Sequence, residues 1–282
     1  MKYEEYKNNL IENLKNHLNK DEVLETRITS KVNRGKLEGI SLRKMGSNVS
    51  AVLYIEDLYE DQVDYATVMT WLRSAKGDIY NNFETPDIDD LMEKGYFRMC
   101  NSERNKAMLK DSITLYYPEL EDIALYAVYP VAETTRGFGY VRLTPEMMKE
   151  MHVSNSVMVE LKERMIQNTA NLITVRPLRE VIAELSGGEF TEDSPFIVAR
   201  DDKTMASAFV KPIMKQFKKN VYVIPSSTAE LLFIYEDEVN GHDESYMKHM
   251  IREINENVVE DELFLSNNLF KYDAESEKIS VV

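Results

Sequence analysis

Residues 220–237, NVYVIPSSTAELLFIYED, hold two short apolar runs on either side of Pro225-Ser226-Ser227-Thr228. Each run is too brief for a helix and suits a strand, so the segment is expected to turn back on itself. The same device recurs along the chain. LETRITSKVNRGKLEGISLRK alternates apolar and polar residues around Asn33-Arg34-Gly35, where Gly35 is free to take positive φ. DIALYAVYPV and GFGYVRL flank AETTR, PFIVAR and MASAFV flank DDKT, and NLFKYD and KISVV flank AESE. Strands joined by such short turns pair antiparallel, since a parallel partner needs a long crossover.

Helices separate these pairs. Tyr3, Tyr6, Leu10, Leu14 and Leu18 recur at three and four, the spacing of an amphipathic helix. A second helix is expected from Tyr65 to Ile79, with Trp71 anchoring a core face shared with Val68, Leu72 and Ala75. Thr144-Pro145 and Ser154 are helix starts, the latter opening a stripe of Met158, Leu161, Met165 and Leu172. LREVIAEL, KPIMKQFKK and the stretch from Asp243 to Asn257 are further helices, and Gly187-Gly188 ends the first of these. YFRMCNSERNKAMLKD reads as a strand feeding a helix that Asn101 or Ser102 caps. The fold class is therefore α+β, largely antiparallel sheet hairpins with helices packed on them. The polar stretch from Asn81 to Asp90 is a possible boundary. The expected division is residues 1–110 and 111–282, each α+β, with packing as one domain the alternative.

Composition narrows the function. With 34 Lys and Arg against 49 Asp and Glu, the formal charge is −15, which disfavours nucleic acid and anionic membranes as partners. Cys100 is the lone cysteine, so no internal disulfide can form, and a cytoplasmic setting is expected. The first twenty residues alternate charge and apolar character, unlike a signal peptide. Four histidines, His17, His152, His242 and His249, are dispersed. His242 and His249 lie about 10 Å apart even on one helix, so neither a metal nor another cofactor is expected.

Ser226 and Ser227 invite comparison with a hydrolase nucleophile, but no glycine flanks them as a strained nucleophile turn requires. Ser227 and Glu230 have capping-box spacing, which leaves open a single helical turn there. The acidic run EDLYEDQVD lacks the spacing of a calcium loop and reads as a solvated face. Neither RGFGYV nor Gly187-Gly188 completes a phosphate loop. SERNKAMLK remains: Arg104 beside Asn101, Glu103 and Asn105 forms either an anion site at a helix start or a capped helix with a surface ion pair. RKMGSNV and CNSERNK both adjoin strand candidates, and their meeting would gather Asn48, Asp57, Asn101, Glu103 and Arg104 into one ligand site. No catalytic residue is singled out.

GISLRKMGSNVSAVLYIEDLYE, CNSERNKAMLKD, QNTA, VYVIPSSTAELLFIYED and LSNNLFKYDAESEKISV span nearly the whole chain in order. Together they resemble an uncharacterised bacterial family, domain of unknown function 5688, known mainly from clostridial relatives. The resemblance implies a bacterial cytoplasmic protein and brings no activity, cofactor or site residue with it. Three functions stay open. The first is a non-catalytic binding or interaction module, with another protein as a possible partner. The second is a hydrolase or transferase using carboxylates around Asp57 and Glu103 with Arg104 as anion site. The third is an acidic decoy that inhibits a nucleic-acid-binding protein.

Overall fold

The computed structural model describes residues 1–46, 50–80, 86–134, 137–188, 194–201, 203, 206–239 and 243–282, with the backbone alone for 75–80, 132–134 and 137–138. The chain divides into two compact units: Met1–Thr85 with Val131–Tyr140, and Pro86–Pro130 with Val141–Val282.

In the first unit, helix α1 (Tyr3–Asn16) buries Tyr6, Leu10 and Leu14, the stripe that its spacing predicts. Strands β1 (Glu22–Lys31) and β2 (Gly35–Lys44) run antiparallel, from Glu22 opposite Lys44 to Lys31 opposite Gly35. Their turn needs two left-handed residues, Asn33 at φ 62° and Gly35 at φ 72°. Asparagine and glycine tolerate that conformation best. Strand β3 (Val52–Tyr54) pairs with β2, and helices α2 (Ile55–Glu60) and α3 (Tyr65–Tyr80) follow. The core joins Ile40, Leu42, Ile55, Leu58, Val68, Met69 and Leu72 to the α1 stripe. Two polar anchors lock it. Tyr6 donates its hydroxyl to the Leu58 and Val63 carbonyls at 2.9 and 2.6 Å. Arg73 meets the buried Glu22 carboxylate at 2.9 and 3.2 Å and also donates to the His17 carbonyl.

The second unit begins with α4 (Ile88–Lys94), where Asp87 and Asp90 form a reciprocal capping box. Strand β4 (Tyr96–Asn101), helix α5 (Lys106–Lys110) and strands β5 (Thr114–Leu115), β6 (Ile123–Thr134) and β7 (Gly137–Arg142) come next, the stretch Val131–Tyr140 of the last two being counted with the first unit. β4 and β5 flank β6 antiparallel, and β7 also pairs with β6. Helices α6 (Pro145–Glu150) and α7 (Asn155–Leu172) start at Thr144 and Ser154, whose hydroxyls accept from Met147 and Val157. The rest supplies β8 (Thr174–Pro177), α8 (Leu178–Ser186), β9 (Ile197–Arg200), α9 (Lys211–Met214), β10 (Val221–Ser227), β11 (Glu230–Tyr235), α10 (Glu244–Asn257), β12 (Phe270–Asp273) and β13 (Lys278–Val281). Six of these strands form one antiparallel sheet in the order β13-β12-β10-β11-β9-β8. One face packs Phe233 against Phe217 and Phe270 against Phe209, with ring centres 4.5 and 5.3 Å apart. The other face presents Tyr222, Ile224 and Ile234 to Met247 and Ile251 of α10.

The architecture is α+β, with three antiparallel sheets and ten α-helices among the described residues. Among those residues no helix is long and apolar enough to cross a membrane. Several local expectations need correction. Residues 206–210, the described part of MASAFV, do not form a hairpin with β9, because β11 and β8 already occupy both edges of that strand. Among the described residues one isolated bridge joins Asp201 to Ala206, and the buried Ser207 donates its hydroxyl to the Ala199 carbonyl. TVRP, unassigned by pattern, supplies the edge strand β8 instead. Trp71 is only half-buried on the flank of its core, while Val68 and Leu72 are fully enclosed. On α7 the stripe holds at Leu161 and Met165, but Leu172 turns out to solvent. Helix α5 starts after Asn105, and neither Asn101 nor Ser102 caps it.

Candidate functional site

The sequence-derived site residues are shared between the two units, and each is described within its own. Asn48 lies outside the described residues. Asp57 belongs to the first unit, on α2, where it pairs with Lys31 at 3.4 Å and with Arg34 of the β1–β2 turn. Those two cations neutralise it and pin the hairpin tip. Asn101, Glu103 and Arg104 belong to the second unit. Glu103 is exposed and paired with Lys106 at 2.5 Å, a surface pair three residues apart. Arg104 bonds Asp261 at 3.2 Å and lies over the Phe264 ring, 3.9 Å from its centre. The guanidinium is thus engaged by a carboxylate and an aromatic face.

Asn101 is buried and makes a polar node rather than an open site. Its side-chain amide donates to the Asp122 carboxylate at 3.1 Å and to the Leu265 carbonyl at 2.8 Å. Its side-chain oxygen accepts from the Arg104 backbone N–H. Asp122 also accepts from Ser266 at 2.8 Å and Asn268 at 3.1 Å. Burial pushes the Asp122 carboxyl up, and the hydrogen bonds from Ser266, Asn268 and Asn101 oppose that shift. The node ties the end of β4 to the segment before β12, two stretches far apart in sequence.

The two serines end strand β10, next to its turn into β11. β10 and β11 pair antiparallel around Thr228 and Ala229, with a bulge between Ile224 and Ser227. Ser226 donates to Glu230 at 2.8 Å, and Glu230 also faces Arg200 at 3.4 Å. Ser227 accepts from the Ala229 N–H. The spacing of Ser227 and Glu230 therefore serves a strand turn, without a helical turn. Among the described residues no group of three His, Cys, Asp or Glu side chains could hold a metal ion. His17 bonds the Asn13 carbonyl at 2.7 Å and packs beside Tyr65. His242 lies outside the described residues.

The second unit carries a cleft of about 240 Å³ bounded by α9, the β12–β13 hairpin and a 3₁₀ turn at Pro118–Leu120. Its apolar walls are Leu120, Phe209, Val210, Met214 and Ile279. The first four of these are buried, and Ile279 on the edge strand is half-buried. Two phenols, Tyr117 and Tyr272, also line it. Burial pushes both up, helped by Glu119 at Tyr117 and by Glu277 at Tyr272. At neutral pH they are hydrogen-bond donors, not anions. Lys211, Lys278, Glu119 and Glu277 complete the lining. Glu277 sits at φ 53°, a left-handed conformation that disfavours a side chain, immediately before β13. It reaches Lys215 at 2.7 Å and Lys211 at 3.8 Å. The Lys215 ammonium, with Lys211 behind it, holds the Glu277 carboxyl below its usual range.

The sequence reading missed this cleft because its walls come from three segments with no shared motif. The available signals were weak: two lysines four apart in KPIMK, and a glutamate at the end of the AESE turn. No curated protein and no solved structure matches the chain. A family of unknown function, DUF5688, matches residues 3–274, so the chain belongs to that family over nearly its whole length.

Proposed function

We propose that the protein is a binding module and that the cleft under the β12–β13 hairpin is where its ligand sits. The observation that carries this reading is the cleft itself, an apolar recess whose lining also holds two phenols and four charged side chains. Ligand sites have this composition: mostly apolar walls and a few polar groups that fix orientation. Its volume falls just below the usual range of about 300–1,000 Å³ for such sites, so the occupant is a small molecule or a single side chain of a partner. The carboxylates and Arg104 that an enzymatic reading would use are engaged instead in the ion pairs with Lys31, Arg34, Lys106 and Asp261.

Ile279 offers a clean test, because it lines the cleft from an edge strand and is only half-buried. Ile279→Trp is expected to fill the recess while the chain stays folded by circular dichroism. A ligand-observed NMR screen of a fragment library should yield mutually competing hits on the wild type that vanish in this variant. Hits that persist in Ile279→Trp, or a screen with none, would refute the assignment.

A further inference from the structure

The charged lining of the cleft is balanced in number, Lys211 and Lys278 against Glu119 and Glu277. Lys215 lies outside that lining and draws Glu277 to itself. The two ammoniums of the KPIMK segment share one carboxylate unequally: Lys215 holds Glu277 at 2.7 Å, and Lys211 stands off at 3.8 Å. Lys211 has 65% of its side-chain surface exposed, so its second and third donors face the solvent at the cleft mouth. Glu277 is kept there despite its left-handed backbone, a conformation that disfavours a residue with a side chain. A strained position of this kind persists only where its surroundings impose it.

Resting on the binding reading above, we propose that the cleft selects small apolar carboxylates. The apolar body enters between Phe209, Met214 and Ile279, and the carboxylate meets Lys211. Glu277 is then a resident counter-ion: it neutralises the lysines in the empty cleft and competes with the incoming anion. Tyr117 and Tyr272, protonated at neutral pH, add donors without repelling it. The recess has the volume of roughly eight waters at about 30 Å³ each, which suits an acid of about ten non-hydrogen atoms. An ammonium or an uncharged amide of the same shape gains the apolar contact but not the Lys211 contact.

Three probes of one shape separate the terms: 3-phenylpropionate, 3-phenylpropanamide and 3-phenylpropylamine. Each is titrated into protein carrying 13C-methyl methionine, and the Met214 methyl, assigned with Met214→Leu, reports occupancy. The carboxylate is expected to bind about threefold or more tighter than the amide at low salt, since an exposed pair contributes modestly. That preference should shrink in high salt. Lys211→Ala should abolish it, and Glu277→Gln should strengthen carboxylate binding by about threefold through loss of the competing charge. A lysine serving only stability would not produce opposite signs in these two variants. If the amide or the amine binds as tightly as the acid, the anion preference is wrong and the cleft remains a binding site. If no probe moves the Met214 methyl, the preference and the binding reading fail together.

Discussion

Asp122 shows how much of the second unit hangs on single polar side chains. Its carboxylate accepts from Asn101, Ser266 and Asn268, and its backbone carbonyl accepts from the Ser102 N–H at 2.7 Å. Removing the carboxylate strands three donors, of which those on Asn101 and the fully buried Ser266 cannot turn to water. An orphaned buried donor costs about 1–3 kcal/mol, so Asp122→Ala should lower unfolding stability by about 2 kcal/mol or more. A urea titration following tyrosine and tryptophan fluorescence measures it. A loss under about 0.5 kcal/mol would mean that the node does not hold these segments together. Asn101 acts within this node. A residue that sequence reasoning offers as a ligand contact is, in its surroundings, a connector between β4 and the segment before β12.

Between elements, close approach is as decisive as hydrogen bonding. Gly95 ends α4 where that helix meets α7, and its φ of −63° is open to any residue. Space rather than backbone freedom demands glycine there. A methyl group at Gly95 would collide with the Met165 methyl carbon and lie 2.6 Å from the Leu91 carbonyl oxygen. Met165 can rearrange, but the carbonyl is fixed by the 2.9 Å bond it accepts from the Gly95 N–H. Gly95→Ala is therefore expected to destabilise by about 1–3 kcal/mol, the ordinary cost of overpacking. The companion variant Met165→Ala removes only one of the two obstacles, so Gly95→Ala should still destabilise the Met165→Ala background by most of its own cost. Thermal unfolding of the three variants measures this. Full recovery in the double variant would place the whole clash on the methionine.

Across the molecule, burial of weak acids predicts an alkaline limit. Burial pushes the phenols of Tyr3 and Tyr222 up to about 12 from 10.0, with Glu56 assisting at Tyr3 and Glu244 at Tyr222. The Cys100 thiol is pushed up to about 12 from 9.0 by burial, against the pull of Arg142. In the folded chain these groups keep protons that the unfolded chain releases earlier. Unfolding therefore releases protons above pH 9, and stability falls as pH rises from about 9 towards 12. Below that window the contribution is fully present. Denaturant midpoints between about pH 8 and about pH 11 should decline, and Tyr222→Phe should flatten the upper part of the curve. A midpoint constant over that range would contradict the burial of these groups. In the same native state Cys100 should resist thiol reagents until the chain unfolds.

Where the signal is local, sequence alone determined the outcome. Turn residues and short apolar runs set the β1–β2, β10–β11 and β12–β13 hairpins, because antiparallel neighbours in sequence pair through the turn that joins them. Capping residues set the starts of α6, α7 and α10, since an N-cap bond spans only three residues. Tertiary structure decided what depends on which strand is already occupied and which segments meet. MASAFV has a strand pattern, but β9 has no open edge, and Phe209 and Val210 of that segment line the cleft instead. Glu277 and Lys215 lie more than sixty residues apart, and no periodicity links an AESE turn to a KPIMK helix. Their encounter follows from burying Phe209 against Phe270, a long-range apolar contact that local patterns cannot encode.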